Sequence, residues 1–344
     1  MTKPGEIMLR EISEIPEMLV RIAARFQDNR KAATLLDSEK FHSVVLLARG
    51  TSDNAAHYLK YLIETKLGLP CGLASPSAAT IYSTPFHYAN TLVVAISQSG
   101  QSSDLLAFAQ AAKDGGGYVL AITNDENSPL AQLSNLHIDI AAGPEIAVPA
   151  TKSYVGQLFI SFLLASVWNK ENLEVSDIFS AAKLSAQSDS QVKKFADNID
   201  IKRPIYILGR GFSYPNAKEF ALKLQETCLI PVQGMSSSDF LHGPIASLHE
   251  NSQVIFLAPH HQPKMSFGEA PERVRAITGK VFWIGSTELA QSVDISIETP
   301  LSDSETKACL SDAIIFQKIT HDLAVSNKFD PDSPRGLSKV TITR

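Results

Sequence analysis

Phe41-His-Ser-Val-Val-Leu-Leu-Ala-Arg-Gly-Thr-Ser52 and Lys202-Arg-Pro-Ile-Tyr-Ile-Leu-Gly-Arg-Gly-Phe-Ser213 are two versions of one segment. Each is a short apolar run that ends in Arg-Gly, with a serine two positions after the glycine. The spacing from Arg49 to Arg210 is also the spacing from Ser52 to Ser213 and from Pro70 to Pro231, so the chain is built on an internal duplication. An apolar run without period-two alternation predicts a strand buried on both faces. A helical pattern follows each run, at residues 53–67 and 214–229, and a proline stands just beyond it.

Working outward, largely apolar runs at 91–97 and 118–123 are answered by runs at 254–259 and 280–285, with helical patterns at 103–114 and 271–279 between them. Strand-helix-strand order repeated in this way predicts parallel pairing, because each crossover helix carries the chain back to the same edge of the sheet. The predicted fold class is α/β, as two tandem doubly wound parallel-sheet domains. The expected division is a helical segment at 1–40 and a first domain at 41–170, ending in a long helical stretch from 151. A polar linker at 171–200 carries a further helix, a second domain occupies 201–328, and a tail runs over 329–344. The polar segment after Asp322, with Pro331, Pro334 and Gly336, is expected to be irregular.

The chain has 344 residues, of which 44% are hydrophobic and 19% charged, which excludes wholesale disorder and leaves room for two cores. Lys and Arg number 31 against 36 Asp and Glu, a formal net charge of −5, so no basic field draws in a nucleic acid. Cys71, Cys228 and Cys309 form no CxxC pair and no disulfide framework. The first fifteen residues lack an apolar export signal, and no apolar run reaches the roughly 20 residues of a membrane span. A cytoplasmic chain without nucleic-acid or membrane partners is the expectation.

Ser97-Gln-Ser-Gly-Gln-Ser-Ser-Asp104 lies directly between a predicted strand and a predicted helix. The unpaired N–H groups of a helix start, a glycine allowing close approach, and several hydroxyls together make a phosphate cradle. A serine-rich turn with an ordinary Ser or Asp cap accounts for the same letters. The second half tips the balance: there the corresponding loop reads Pro259-His-His-Gln-Pro-Lys264, which has lost the Ser-Gly-Ser character. One phosphate site, in the first half, is expected. On the helical pattern 214–229, Glu219 and Lys223 are i, i+4 and Glu226 follows three positions later, on one broad face. A solvated ion pair explains that spacing as well. His242, in Asp239-Phe-Leu-His242-Gly-Pro244, precedes a turn. Near the C-terminal edge of the second sheet, this carboxylate and imidazole would form a proton-transfer pair.

These pieces resemble the sugar isomerase (SIS) domain family, and in particular the isomerase half of glucosamine-6-phosphate synthase. The matching stretches are Arg49 to Ser52, Ser97 to Ser102, Glu145 to Lys152, Glu219 to Glu226, His242-Gly-Pro, and Pro334-Arg-Gly-Leu-Ser-Lys339-Val, six pieces in order over nearly the whole chain. The resemblance implies flavodoxin-like SIS domains and a sugar-phosphate substrate held by Thr51, Ser52, Ser97, Gln98, Ser99 and Ser102, with Val148, Glu219 and Lys223 also lining the substrate site. It implies that Glu226 moves a proton between C1 and C2, that His242 assists ring opening, and that Lys339 reaches the open-chain sugar. It also implies a homodimer with a shared active site, His242 completing the partner's. No cofactor and no metal are expected. His260-His261 has no carboxylate or cysteine at ligand spacing, and no dinucleotide or Walker-type loop is present.

The chemistry stands without the family. Aldose–ketose interconversion needs a ring opened, a proton lifted next to a carbonyl or imine and the proton returned one carbon away, work that one carboxylate and one imidazole can share. A tail carrying Lys339 could exclude water and supply a cation or an amine. The synthase pattern also includes a glutaminase domain with an N-terminal cysteine. About forty residues, none of them cysteine, precede the first predicted strand, so ammonia release is expected rather than glutamine-dependent synthesis. The expected reaction converts glucosamine 6-phosphate and water to fructose 6-phosphate and ammonia. Ala150 stands where the synthase pattern has serine, which leaves open a galactosamine-6-phosphate deaminase or a deglycase acting on a fructoselysine 6-phosphate adduct. The alternative of another class is a non-catalytic sugar-phosphate sensor; the Glu226, His242 and Lys339 constellation and the lack of a preceding helix-turn-helix count against it.

Overall fold

A computed structural model of the chain describes residues 3–33, 40–258, 267–287, 293–300 and 304–339. The expectations concerning His260, His261 and the rest of the 259–264 loop lie outside the described residues. Two compact units are present. One consists of Glu17–Glu145, Lys152–Glu174 and the chain from Ser338; the other consists of the first sixteen residues, Ile146–Thr151 and Val175–Leu337.

The first unit holds β1 (Ser43–Leu47), β2 (Cys71–Leu73), β3 (Thr91–Ile96), β4 (Tyr118–Thr123) and β5 (Leu136–Asp139), in the order β2-β1-β3-β4-β5. The second holds β6 (Ile205–Gly209), β7 (Val232–Ser236), β8 (Gln253–Ala258), β9 (Lys280–Gly285) and β10 (Ile295–Glu298), in the order β7-β6-β8-β9-β10. Every pairing is parallel. Both sheets therefore have one topology, the doubly wound arrangement predicted from the duplicated segments. The two Arg-Gly turns repeat as well, with Gly50 at φ 55° and Gly211 at φ 58°.

The central strands β3 and β8 are buried along their whole length, as continuous apolar runs require. In the first sheet, Leu47, Val93, Ala95, Val119 and Ala121 pack on Leu105, Phe108 and Ala112 of helix Ser103–Asp114. In the second, Leu208, Val254, Phe256, Val281 and Trp283 share a cluster with Phe240 and Ile245. The opposite face of that sheet carries Phe282, whose ring lies 5.3 Å from that of Phe195 on helix Asp189–Ala196. Helix Ser213–Cys228 joins this second face through helix Glu305–Ser326, where Phe220 stacks on Phe316 at 5.3 Å. Close approach of helix and strand depends on Gly234 of β7, where a Cβ would stand 2.2 Å from the Ala217 carbonyl oxygen.

Two local expectations are corrected. The 171–200 stretch forms two helices, Ser176–Ala186 and Asp189–Ala196, because the chain breaks at Gln187 and Ser188. The irregular tail begins after Ser326 rather than after Asp322, since helix Glu305–Ser326 runs on. The tail is then tied down: Asp332 accepts the Ile7 and Met8 N–H groups at 3.0 and 2.7 Å, and its carbonyl accepts the Val148 N–H at 3.0 Å. A carboxylate at a helix start satisfies donors that have no partner within the helix and favours the dipole. No described helix is long and apolar enough to cross a membrane.

Asp312 lies buried on helix Glu305–Ser326, and burial pushes its carboxyl up to about 7 against the lowering effect of a hydrogen bond with Thr299. A raised carboxyl binds its proton more tightly in the folded state than in the unfolded one, so folding stability falls as the pH rises from about 4 through 7. Asp312→Asn, which keeps the shape without the charge, is expected to raise the urea midpoint at pH 8 and to leave it unchanged near pH 4, as chemical denaturation at the two pH values will show.

Candidate functional site

In the first sheet the chain leaves β1 and β3 in opposite directions, so a crevice opens at their C-terminal ends, the general binding place of doubly wound sheets. The turn and first helical residues that follow β1 contribute Arg49, Gly50, Thr51 and Ser52; the turn and helix start that follow β3 contribute the 97–104 stretch. Arg49 Nε donates to Asp104 Oδ2 at 2.8 Å, with Asp104 buried, and this ion pair joins the two loops. Nothing in the spacing of these two residues announces a contact across fifty-five positions.

The 97–104 loop is folded onto the end of β4. Gln98 accepts the Asn124 N–H at 3.0 Å, and the Gly100 carbonyl accepts the Leu130 N–H at 3.2 Å. Gly100 has φ 62°, and a Cβ there would meet Ser128 Oγ at 2.4 Å, so both conformation and space demand glycine. The hydroxyls share a pattern. Ser97 Oγ accepts the Gly100 N–H at 3.1 Å, Ser99 Oγ accepts the Gln101 N–H at 3.3 Å, and Ser52 Oγ accepts Gln157 Nε2 at 2.9 Å. In each bond serine is the acceptor, which leaves the O–H proton for another partner. Ser102 occupies the cap position of helix Ser103–Asp114 without a side-chain cap bond, unlike an ordinary capped turn. Thr51 is half-buried in the first turn of helix Gly50–Leu62.

Also in this unit, Glu145 has a fully buried carboxylate that accepts the Ser153 N–H at 3.0 Å, the Ser153 hydroxyl at 2.7 Å and Lys339 Nζ at 2.9 Å. The described end of the tail is therefore anchored by a group in the Glu145 to Lys152 stretch. Ile146–Thr151 of that stretch, with half-buried Val148, belongs to the other unit.

In the second unit, Glu219 and Lys223 are completely buried, and Lys223 sits between Glu219, at 3.4 Å, and Glu226, with which it makes a close ion pair. The solvated ion pair is thus corrected to a buried triad. Burial alone would push the Lys223 ammonium down; the charges of Glu219 and Glu226 outweigh it and hold its pKa above the usual value, so the lysine stays charged at neutral pH. Glu226 alone of the three keeps partial exposure, 21% of its side chain.

His242 is exposed and follows helix Ser237–Leu241 at the end of β7. Within one chain His242 and Glu226 do not share a sheet edge. Helix Ser213–Cys228 starts at the C-terminal edge and runs back, so Glu226 lies about 20 Å along it at 1.5 Å per residue. Its neighbour Gln225 donates to the carbonyl of Val232, the first residue of β7. The flanks of His242, Phe240 and Ile245, pack on the other face of the sheet. A sheet thus separates Glu226 from His242, a face assignment invisible in helical spacing.

The SIS domain model matches residues 38–167 and 199–310. The chain belongs to the SIS domain family. Among SIS relatives, glutamine–fructose-6-phosphate aminotransferase (isomerizing) of Pyrococcus horikoshii is 30% identical over 342 residues, covering 96% of this chain and 57% of that protein. The chain thus spans little more than half the length of that relative. The solved C-terminal domain of glucosamine-fructose-6-phosphate aminotransferase from Francisella tularensis superimposes with a TM-score of 0.85 at 26% identity, over 95% of this chain and 98% of that domain. A glucosamine-6-phosphate deaminase from Thermotoga maritima shares the SIS fold, with a TM-score of 0.78 at 21% identity over 98% of this chain and 99% of that one.

Gly100→Ala is expected to disrupt the 97–104 loop, and thermal unfolding will show a lower midpoint than the parent chain.

Proposed function

We propose that the chain isomerises an amino-sugar 6-phosphate and releases ammonia, acting as a glucosamine-6-phosphate deaminase. The observation that carries the reading is the buried Glu219–Lys223–Glu226 triad, which presents one partly exposed carboxylate backed by a fixed ammonium. In the proposed reaction Ser52, Ser97, Gln98, Ser99 and Ser102, with Thr51, hold the phosphate, the Ser52, Ser97 and Ser99 hydroxyls donating to its anionic oxygens. Val148 and the Glu219–Lys223 pair shape the rest of the sugar's surroundings.

His242 passes a proton to the ring oxygen while the anomeric hydroxyl gives up its own to water, the C1–O5 bond breaks, and the ring opens to an aldehyde. Glu226 takes the proton from C2 and returns it to C1, leaving a C2 iminium that water hydrolyses to fructose 6-phosphate and ammonia. Lys339, its ammonium oriented by Glu145, serves as the cation facing the oxygen that gains charge at C1. Ammonia release needs only the sugar and water. Burial pushes the Cys71 thiol up to about 12 and Cys228 up to about 11 and holds Cys309 well above its usual value, so none of the three takes part as a thiolate.

Because the sheet separates His242 from Glu226 within one chain, we assign them to different subunits of a homodimer, His242 of one chain serving Glu226 of the other. Purified protein incubated with glucosamine 6-phosphate is expected to release ammonia and fructose 6-phosphate, and Glu226→Gln to lose at least a thousandfold in kcat. Binding without turnover would make the protein a sensor; amine release only from galactosamine 6-phosphate or a fructoselysine 6-phosphate adduct would reassign the substrate. In mixed dimers, Glu226→Gln and His242→Ala chains are expected to restore part of the activity that each homodimer lacks, and a complete lack of complementation would refute the sharing.

A further inference from the structure

Helix Lys152–Trp168 is buried at every one of its seventeen positions, yet it carries Gln157 in the middle of its length. Gln157 Nε2 donates to Ser52 Oγ at 2.9 Å, while its Oε1 is buried with no hydrogen-bond partner among the described residues. A buried carbonyl left unsatisfied costs about 1–3 kcal/mol, and a leucine or methionine of similar volume would avoid that cost. The amide is therefore poorly explained by packing alone. What it does accomplish is directional. A serine hydroxyl has one proton and two lone pairs; with a lone pair taken by the Gln157 N–H, the proton is left to point elsewhere. Helix Gly50–Leu62 packs on helix Lys152–Trp168, so this bond fixes the Ser52 side chain at the mouth of the crevice that follows β1.

We propose that Gln157 is a positioning residue that locks Ser52 as a hydrogen-bond donor, and so sets the crevice to take a fully ionised phosphate ester, which only accepts hydrogen bonds, in preference to a neutral hydroxyl. The inference rests on the reading that Ser52 holds the substrate phosphate. Ser97 and Ser99 have their lone pairs engaged by the backbone N–H groups of Gly100 and Gln101. Ser52 is the member of the set whose lock is a side chain, and hence the member that a substitution can reverse. Gln157→Glu would put an ionised acceptor where the donor stands, and the Ser52 proton would turn toward it and away from the ligand.

The test is a double-mutant cycle on the full-length protein, with glucosamine 6-phosphate and unphosphorylated glucosamine as probes in calorimetric titration and steady-state kinetics. Ser52→Ala is expected to weaken glucosamine 6-phosphate binding about 10- to 100-fold, the range of one hydrogen bond to a charged group, and to leave glucosamine binding unchanged. Gln157→Glu should match that loss, raising KM with little change in kcat. Gln157→Met, which only frees the hydroxyl to rotate, should lose about threefold and keeps the cycle readable should the buried glutamate unfold the chain. In the Ser52→Ala background neither change at position 157 should weaken binding further. If Ser52→Ala weakens binding and the 157 variants add their full loss on top, the positioning role is overturned while the phosphate site stands. If Ser52→Ala leaves glucosamine 6-phosphate binding intact, the phosphate reading fails, and this inference with it.

Discussion

The arrangement hangs on a geometric demand of the strand order. When a parallel sheet is wound in both directions from its middle, the chain must part between two neighbouring strands, and the strand ends there face an open crevice. In the first sheet the loops on the two sides are joined by Arg49 and Asp104. An ion pair with one buried partner is weak evidence for stability, because desolvation offsets much of its Coulomb energy. Its value is registration: it fixes the loop carrying Ser52 against the loop carrying Ser97. The duplicated sheet has the same strand order and the same turn at Gly211, but its contribution comes from a different layer, the helix that follows β6.

That helix shows how burial and charge can be reconciled at a site. Three ionisable groups on one face, two of them fully enclosed, would be ruinous if unpaired. Lys223 is held by two carboxylates, so the assembly carries one net negative charge, and the carboxylate nearest solvent is Glu226. Proton transfer to carbon requires a base whose position does not wander. The ammonium fixes that position from behind, while Glu219 balances the ammonium from the other side.

Much of this was legible in the letters. The duplicated Arg-Gly runs predicted parallel α/β architecture; strands at 118–123 and 280–285 and the helix at 103–114 fall where the apolar pattern puts them. The strands that escaped notice, β2, β5, β7 and β10, are the sheet edges. They are short and half-exposed, as in Leu136–Asp139 and Ile295–Glu298, so no continuous apolar run marks them. At the candidate site, the serines and the helix-borne carboxylates could be picked out by type and spacing. Gln157, Asp104 and the anchoring role of Glu145 could not, since each acts through a partner distant in sequence. The placement of His242 and Glu226 on opposite faces of the second sheet was illegible for a related reason: helical periodicity tells which residues share a face of one helix, not which face of a sheet that helix covers.

One feature of the tail bears on how the molecule is made. Asp332 caps a helix whose second residue, Ile7, is 325 positions away. At about 5–20 residues per second, a ribosome takes roughly a quarter of a minute to a minute to translate that interval. Helix Glu6–Ser13 must therefore persist uncapped on a nascent chain, exposed to chaperones and proteases, until Asp332 emerges. Premature termination upstream of Asp332 would orphan both ends of the unit together.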